Sequence, residues 1–261
     1  MKIDVYFSPA QVDEMQLREK NVVVIDVLRA SSTIVAALHN GAREIIPVSS
    51  VESAVKVSGN LFGDVVLRGG ERNGKMIDGF NLGNSPSEYT EEAVKGKSII
   101  LCTTNGSVAM VRARYAKNMT VACFNNISSV VEFMEEINDD FSIVCAGQQS
   151  LFALEDAVCA GMIVKQLSDK DSLMLELNDA AVTAHVLYKT YNKNLLKMIK
   201  SCDHGRYLAG IGFEDDLKLC AEIDSVATVP MLAGSVIKVK KEAMRPSVGN
   251  PLGTTAEAVA D

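Results

Sequence analysis

The stretch Asn21–Thr33, NVVVIDVLRASST, places a carboxylate, a guanidinium and three hydroxyls within one short turn. Asp26 ends an apolar run that reads as a buried strand, and open α/β sheets put their ligands at the carboxyl ends of strands. Ser31, Ser32 and Thr33 then open a helix, where hydroxyls and unpaired N–H groups suit an anion, and Arg29 stands beside them. A plain helix cap would account for the serines alone; it leaves the acid and the arginine at the same strand end unexplained.

TTNGS at 103–107 holds the matching place after a second apolar run. Thr104, Asn105 and Gly106 there could cradle an oxyanion, although an Asx-type cap explains them equally well in isolation. Asn125 and Gly147 close the next two strands in the same way. Gly70-Glu71-Arg72 and the downstream GFNLGNSP (79–86) add an acid, a base and amides. Glu155-Asp156 opens a helix, and beside Gly147 Asp156 becomes a candidate ligand for a hard cation. Asp215-Asp216 reads as a solvated helix start. His204-Gly205-Arg206 reverses the histidine-phosphatase order, and three scattered histidines do not suggest zinc.

Other phosphate chemistries are excluded by spacing. Gly69–Lys75 opens like a P-loop, but Met76 stands where Ser or Thr must meet magnesium. No cysteine has an arginine six positions later. Asp26-Val27-Leu28 lacks the second aspartate of the haloacid dehalogenase pattern. What remains is carboxylates, arginines and glycine-rich turns, an oxygen-donor site without histidine or thiolate.

These residues need strand ends to carry them, and the pattern supplies them. Strands VVVIDV (22–27), EIIPV and DVVLR (64–68) alternate with helical runs at 32–40 and from Val51. SIILCT (98–103), MTVACF and FSIVCA (141–146) alternate with helices at about 107–116 and 128–137. Two such βαβαβ halves, about 3–68 and 98–146, predict an α/β fold, a three-layer α/β/α sandwich on a largely parallel or mixed sheet. A mainly helical part follows at 152–225, with a short strand in SVATVPML. The expected layout is one domain over 1–240 and a flexible tail at 241–261.

Residues 69–90 form a polar, glycine-rich connection of functional length, ordered by Met76, Ile77, Phe80 and Leu82. With 261 residues, 48% hydrophobic and 23% charged, the chain is globular, and its net charge of −7 argues against nucleic acid or an anionic membrane as partner. MKIDVYFSPAQ has no apolar signal core, no run is long enough to span a membrane, and the six cysteines read as buried hydrophobes. A cytoplasmic protein is expected, and the apolar helical part is compatible with a homodimer.

Taken in order, VIDVLRASSTIVAAL with Gly41-Ala42, GGERNG, GFNLGNSP, TTNGS, Asn125, Ala146-Gly147, Leu154-Glu155-Asp156 with Gly161 and the His204–Asp215 region resemble the 2-phosphosulfolactate phosphatases of coenzyme M biosynthesis, over roughly residues 3–238. One position departs: Asn81 stands where that pattern carries Asp. The resemblance implies a Mg²⁺-dependent hydrolase converting 2-phospho-3-sulfolactate to 3-sulfolactate and phosphate. On that footing Asp26, Glu71 and Asp156 are expected to hold Mg²⁺, with Asp26, Arg29 and Asp156 catalytic. Ser31, Ser32, Thr104, Asn105, Gly106, Asn125 and Gly147 are expected around the small anionic phosphorylated substrate, with Arg72 and Arg206 on its carboxylate and sulfonate. Attack by water and attack by Asp26 through an aspartyl-phosphate both stay open. So do another phosphorylated hydroxy acid as substrate and a non-catalytic sensor of anionic metabolites.

Overall fold

Residues 1–60 and 65–240 are described by a computed structural model; the expected tail at 241–261 lies outside them. Eleven strands form one mixed sheet among the described residues. They are β1 (Lys2–Tyr6), β2 (Asn21–Ile25), β3 (Glu44–Pro47), β4 (Val66–Arg72), β5 (Lys75–Met76), β6 (Ser98–Cys102), β7 (Asn118–Ala122), β8 (Phe141–Cys145), β9 (Glu176–Leu177), β10 (Pro230–Ala233) and β11 (Val236–Val239). The helices are α1 (Glu14–Leu17), α2 (Ala30–His39), α3 (Val51–Gly59), α4 (Glu91–Val94), α5 (Gly106–Arg112), α6 (Ile127–Ile137), α7 (Leu154–Ser168), α8 (Asp179–Tyr191), α9 (Leu195–Ser201), α10 (Asp203–Gly210) and α11 (Glu214–Cys220).

The strand order is β5-β4-β6-β3-β11-β10-β7-β2-β8-β1-β9. Strands β4, β6 and β3 form one parallel block, and β7, β2, β8, β1 and β9 another. The β10–β11 hairpin joins the blocks, antiparallel to β7 on one side and to β3 on the other. The sheet is therefore mixed, and the strand expected in SVATVPML is the piece that joins its halves.

Alternation of side chains sorts the apolar strands into layers. Val22 and Val24 of β2, with Ile99 and Leu101 of β6, pack on Ile34 and Leu38 of α2 and Met110 of α5. Val23 and Ile25 face the other way, onto Val158 and Ile163 of α7 and Val130 of α6. Ile100 and Cys102 of β6 cover Ala54 of α3. Helices α2 and α5 thus share one face of the sheet, and their N-termini lie side by side, Gly106 against Ala30.

The glycine-rich segment is more regular than expected. Strand β4 runs on through Gly69-Gly70-Glu71-Arg72 and turns back into β5. Gly70 permits this: at φ +145° a Cβ there would stand 2.0 Å from the Cys102 carbonyl oxygen. Downstream, Asn81 and Leu82 donate N–H groups to the Arg68 carbonyl, and the Asn81 side-chain Oδ1 accepts the Arg68 N–H at 2.9 Å. Asn81, the residue that departs from the family pattern, fastens this loop.

Candidate functional site

Both buried helix starts at the sheet rim carry a carboxylate. Asp26 follows β2, and its Oδ1 accepts the Ala30 N–H at 3.2 Å. Glu71, at the end of β4, accepts the Thr104 N–H on Oε1 at 2.7 Å and the Gly74 N–H on Oε2 at 2.9 Å. The protein's own acids thus take the places that a helix N-terminus offers to an anion. They face a cleft of about 240 Å³ lined also by Arg29, Asn73, Asn84, Asn105, Gln148, Gln149, His204 and Tyr207.

Five of the expected site residues line this cleft: Asp26, Arg29, Glu71, Thr104 and Asn105. A second group stands just behind them. The Ser31 hydroxyl accepts the Asp26 N–H at 2.8 Å, and that of Ser32 donates to the Val27 carbonyl at 3.0 Å. Both serines are buried and spent on the turn, so they shape it instead of holding substrate. Asp156 accepts the Val27 N–H on Oδ1 at 2.8 Å and the Gly147 N–H on Oδ2 at 3.0 Å. It clamps two strand ends together and does not line the cleft; Gly147, at φ +66°, is the turn it holds.

Gly106 packs directly against the Asp26 carboxylate. A Cβ there would lie 2.5 Å from Asp26 Oδ2 and 2.5 Å from the Ala30 methyl. Gly106→Ala should therefore swing the Asp26 carboxylate aside and lower turnover about 10- to 100-fold, since displacements near 1 Å have that effect. Steady-state kinetics beside a circular-dichroism melt would check it; unchanged kcat means that the carboxylate position is not critical.

Three expectations meet elsewhere. Glu71 and Arg72 are neighbours on a strand, and successive side chains leave by opposite faces. Glu71 enters the cleft, while Arg72 donates to the Cys102 sulfur at 3.2 Å on the other face. Asn125 donates from Nδ2 to the Leu219 carbonyl at 2.7 Å, to the Glu222 carbonyl and to Ser225, and it borders a separate cavity of about 450 Å³. Arg206 is exposed on α10, folded back on Asp203 and the Ser201 carbonyl.

Residues not assigned to the site from the sequence take their places. Asp216, read as solvated, is buried and pairs with Arg29 at 2.7 Å, while its neighbour Asp215 is exposed. Arg29 also donates to the Gly74 carbonyl at 2.6 Å and lies 4.1 Å over the Phe213 ring. The second Asp216 oxygen accepts the Ser85 hydroxyl at 2.6 Å. His204 reaches the cleft with Nδ1 3.5 Å from Oε1 of buried Glu155. Glu155 faces inward because α7 is buried almost all round, so no one-sided pattern marks it; Asp216 and His204 are set by distant chain crossings.

Electrostatics follow from this crowding. Burial pushes the Asp26 carboxyl up to about 6; repulsion by Glu71 and Glu155 adds to it, against His204 and the Ala30 N–H. Asp156 is held well above the usual carboxylate range by burial and by Asp26 and Glu155, despite its two N–H partners. Among the described residues no three His, Cys, Asp or Glu side chains gather as a metal cage.

A family profile for 2-phosphosulpholactate phosphatase matches residues 6–235. The chain belongs to the 2-phosphosulfolactate phosphatase family. It is 40% identical over 242 residues to a probable 2-phosphosulfolactate phosphatase of Caldanaerobacter subterraneus subsp. tengcongensis, covering 93% of this chain and all of that one. Proteins with the same description from Clostridium acetobutylicum and Thermotoga maritima are each 39% identical, over 91% and 92% of this chain and 100% and 99% of theirs. The matched span of the 2-phosphosulfolactate phosphatase family contains every residue of the cleft. No described helix is long and apolar enough to cross a membrane.

Proposed function

We propose that the chain is a phosphatase that hydrolyses 2-phospho-3-sulfolactate to 3-sulfolactate and phosphate with the help of Mg²⁺, in the cytoplasm and within coenzyme M synthesis. The observation that carries the reading is the pair of acids, Asp26 and Glu71, seated on converging helix starts and facing one cleft. Such a cleft repels a substrate bearing phosphate, carboxylate and sulfonate unless a cation joins them. The donor set fits Mg²⁺: two carboxylates leave room for the waters and substrate oxygens that this ion keeps. Asp26 and Glu71 line the cleft and Asp156 does not, so Asp26 and Glu71 would hold the ion. When bound, it would neutralise charge on the phosphoryl oxygens.

The chain's own groups do the rest. Arg29 faces the transferring group, locked by Asp216 and Gly74 so that little reorganisation accompanies reaction. Water attacks phosphorus in line with the ester oxygen; the new P–O bond forms as the ester P–O bond breaks. The electron pair leaves with the ester oxygen, which takes a proton from His204, and the water's proton passes to Asp26. One ester and one water become one alcohol and one phosphate.

The test is phosphate release from a panel of phosphorylated hydroxy acids, with and without Mg²⁺. Release from 2-phospho-3-sulfolactate only with Mg²⁺ is expected. Preference for another acid replaces the substrate, and no release from any leaves a sensor of anionic metabolites. Beryllofluoride trapping on Asp26 would move the attack from water to the carboxylate.

A further inference from the structure

The cleft holds few cations for the charge of its substrate. Among the described residues that line it, only Arg29 and His204 are basic. The proposed chemistry commits Arg29 to the phosphoryl group and His204 to the ester oxygen. Arg72 and Arg206, expected on the other acids, lie elsewhere. Carboxamides are what the cleft offers in their place: Asn105, Gln148 and Gln149 all line it. Asn105 stands between the two acids in sequence and in contact. The Thr104 N–H before it donates to Glu71 at 2.7 Å, and Gly106 after it packs against Asp26.

One bond fixes what Asn105 presents. Its Oδ1 accepts the Gln149 N–H at 2.9 Å. Turning the amide over would set N–H against N–H, so the oxygen stays there and the side-chain N–H donors remain for the cleft. The turn that supplies this lock is itself firmly held. Gln149 and Ser150 take left-handed φ values of +52° and +64°, which non-glycine residues rarely adopt. The Ser8 hydroxyl on the Ser150 carbonyl at 2.7 Å keeps them there, with the paired Gln148–Leu151 backbone bonds at 3.1 and 2.9 Å.

A neutral group that can only donate selects its anion. It suits one that carries no proton, spreads its charge over several oxygens and is too weakly basic to compete for a hard cation. Carboxylate and phosphate are the oxygen donors such a cation prefers, and in the proposed substrate they are borne on the same carbon. The sulfonate, on the next carbon, is the group left for the amides. We propose that Asn105, locked as a donor by the Gln149 N–H, binds the sulfonate and sets the specificity of the cleft. This rests on the phosphatase reading above.

The test is calorimetric titration in Mg²⁺, which needs no turnover. The wild type should bind 3-sulfolactate at least about tenfold more tightly than lactate, the scale of a hydrogen bond to a charged group. Asn105→Ala should weaken 3-sulfolactate about 10- to 100-fold and leave inorganic phosphate within about threefold. Asn105→Asp keeps the oxygen that accepts the Gln149 N–H but turns an acceptor towards the sulfonate. It should lose at least as much of the preference for 3-sulfolactate over lactate, and it serves if the alanine variant fails to fold. A wild type without that preference, variants that retain it, or equal loss of phosphate and 3-sulfolactate in the alanine variant would overturn the assignment while leaving the phosphatase reading intact. A wild type that releases phosphate from no acid sinks the phosphatase reading instead, and the sulfonate site then stands or falls on the titration.

Discussion

Asp26→Asn is expected to abolish turnover and, above pH 6, to make the protein more heat-stable. The first half follows from the proposed chemistry: asparagine keeps the oxygen that accepts the Ala30 N–H but can neither take a proton from water nor neutralise a cation. A loss of at least about 10³ in kcat is expected, or roughly 4 kcal/mol of barrier. The second half is linkage. Burial raises the Asp26 carboxyl from 3.8 to about 6. The folded state therefore holds a proton that the unfolded chain releases, and stability falls as pH rises from about 4 to 6, then stays low. Two pH units amount to about 3 kcal/mol, which asparagine does not lose. For a chain of this size that is a melting-point gain of roughly 6–12 °C at pH 8, shrinking towards zero at pH 4. Calorimetry in EDTA at both pH values, beside phosphate-release kinetics, reads both halves. Near-normal turnover removes Asp26 from the mechanism; a gain independent of pH removes the buried charge from the explanation.

The same burial explains what was legible in the sequence. Strands β2, β6 and β8 are covered on both faces, and an unbroken apolar run is the sequence form of that environment. Strand ends therefore stood out, and with them Asp26, Arg29, Thr104 and Asn105, whereas Glu71 was noticed only as an acid in the glycine-rich connection. Two-residue strands such as β5 and β9 have too few residues to show a period, and Asp203–Gly210 looked like a motif fragment instead of the helix α10. Arg72 was misplaced because it was grouped with Glu71 as if both were loop residues, whereas the strand runs on and alternation separates them. The serines were misread for a related reason: a turn this tight spends its hydroxyls on its own backbone. Asp216 lies 187 residues from Arg29, and no local pattern can announce such a partner.

Removing that partner should have the second-largest effect. Arg29 and Asp216 meet at 2.7 Å with side chains only 2% and 5% exposed, so neither charge has water to fall back on. Arg29→Met leaves Asp216 with the Ser85 hydroxyl alone, and breaking a buried pair this way typically costs 3–5 kcal/mol. A fall in melting temperature of roughly 6–20 °C is expected. Arg29→Lys should recover little, because one ammonium cannot serve Asp216, the Gly74 carbonyl and the Phe213 face together as a planar guanidinium does. The double variant Arg29→Met/Asp216→Leu separates pairing from packing. Replacing a whole buried pair by apolar groups is often neutral, so most of the lost stability should return while phosphate release stays impaired. Urea midpoints of the wild type, both single variants and the double variant would read the coupling between the two residues, expected above about 2 kcal/mol. Additive losses would mean that the two charges do not depend on each other, and recovery of catalysis along with stability would mean that Arg29 serves the fold and not the substrate.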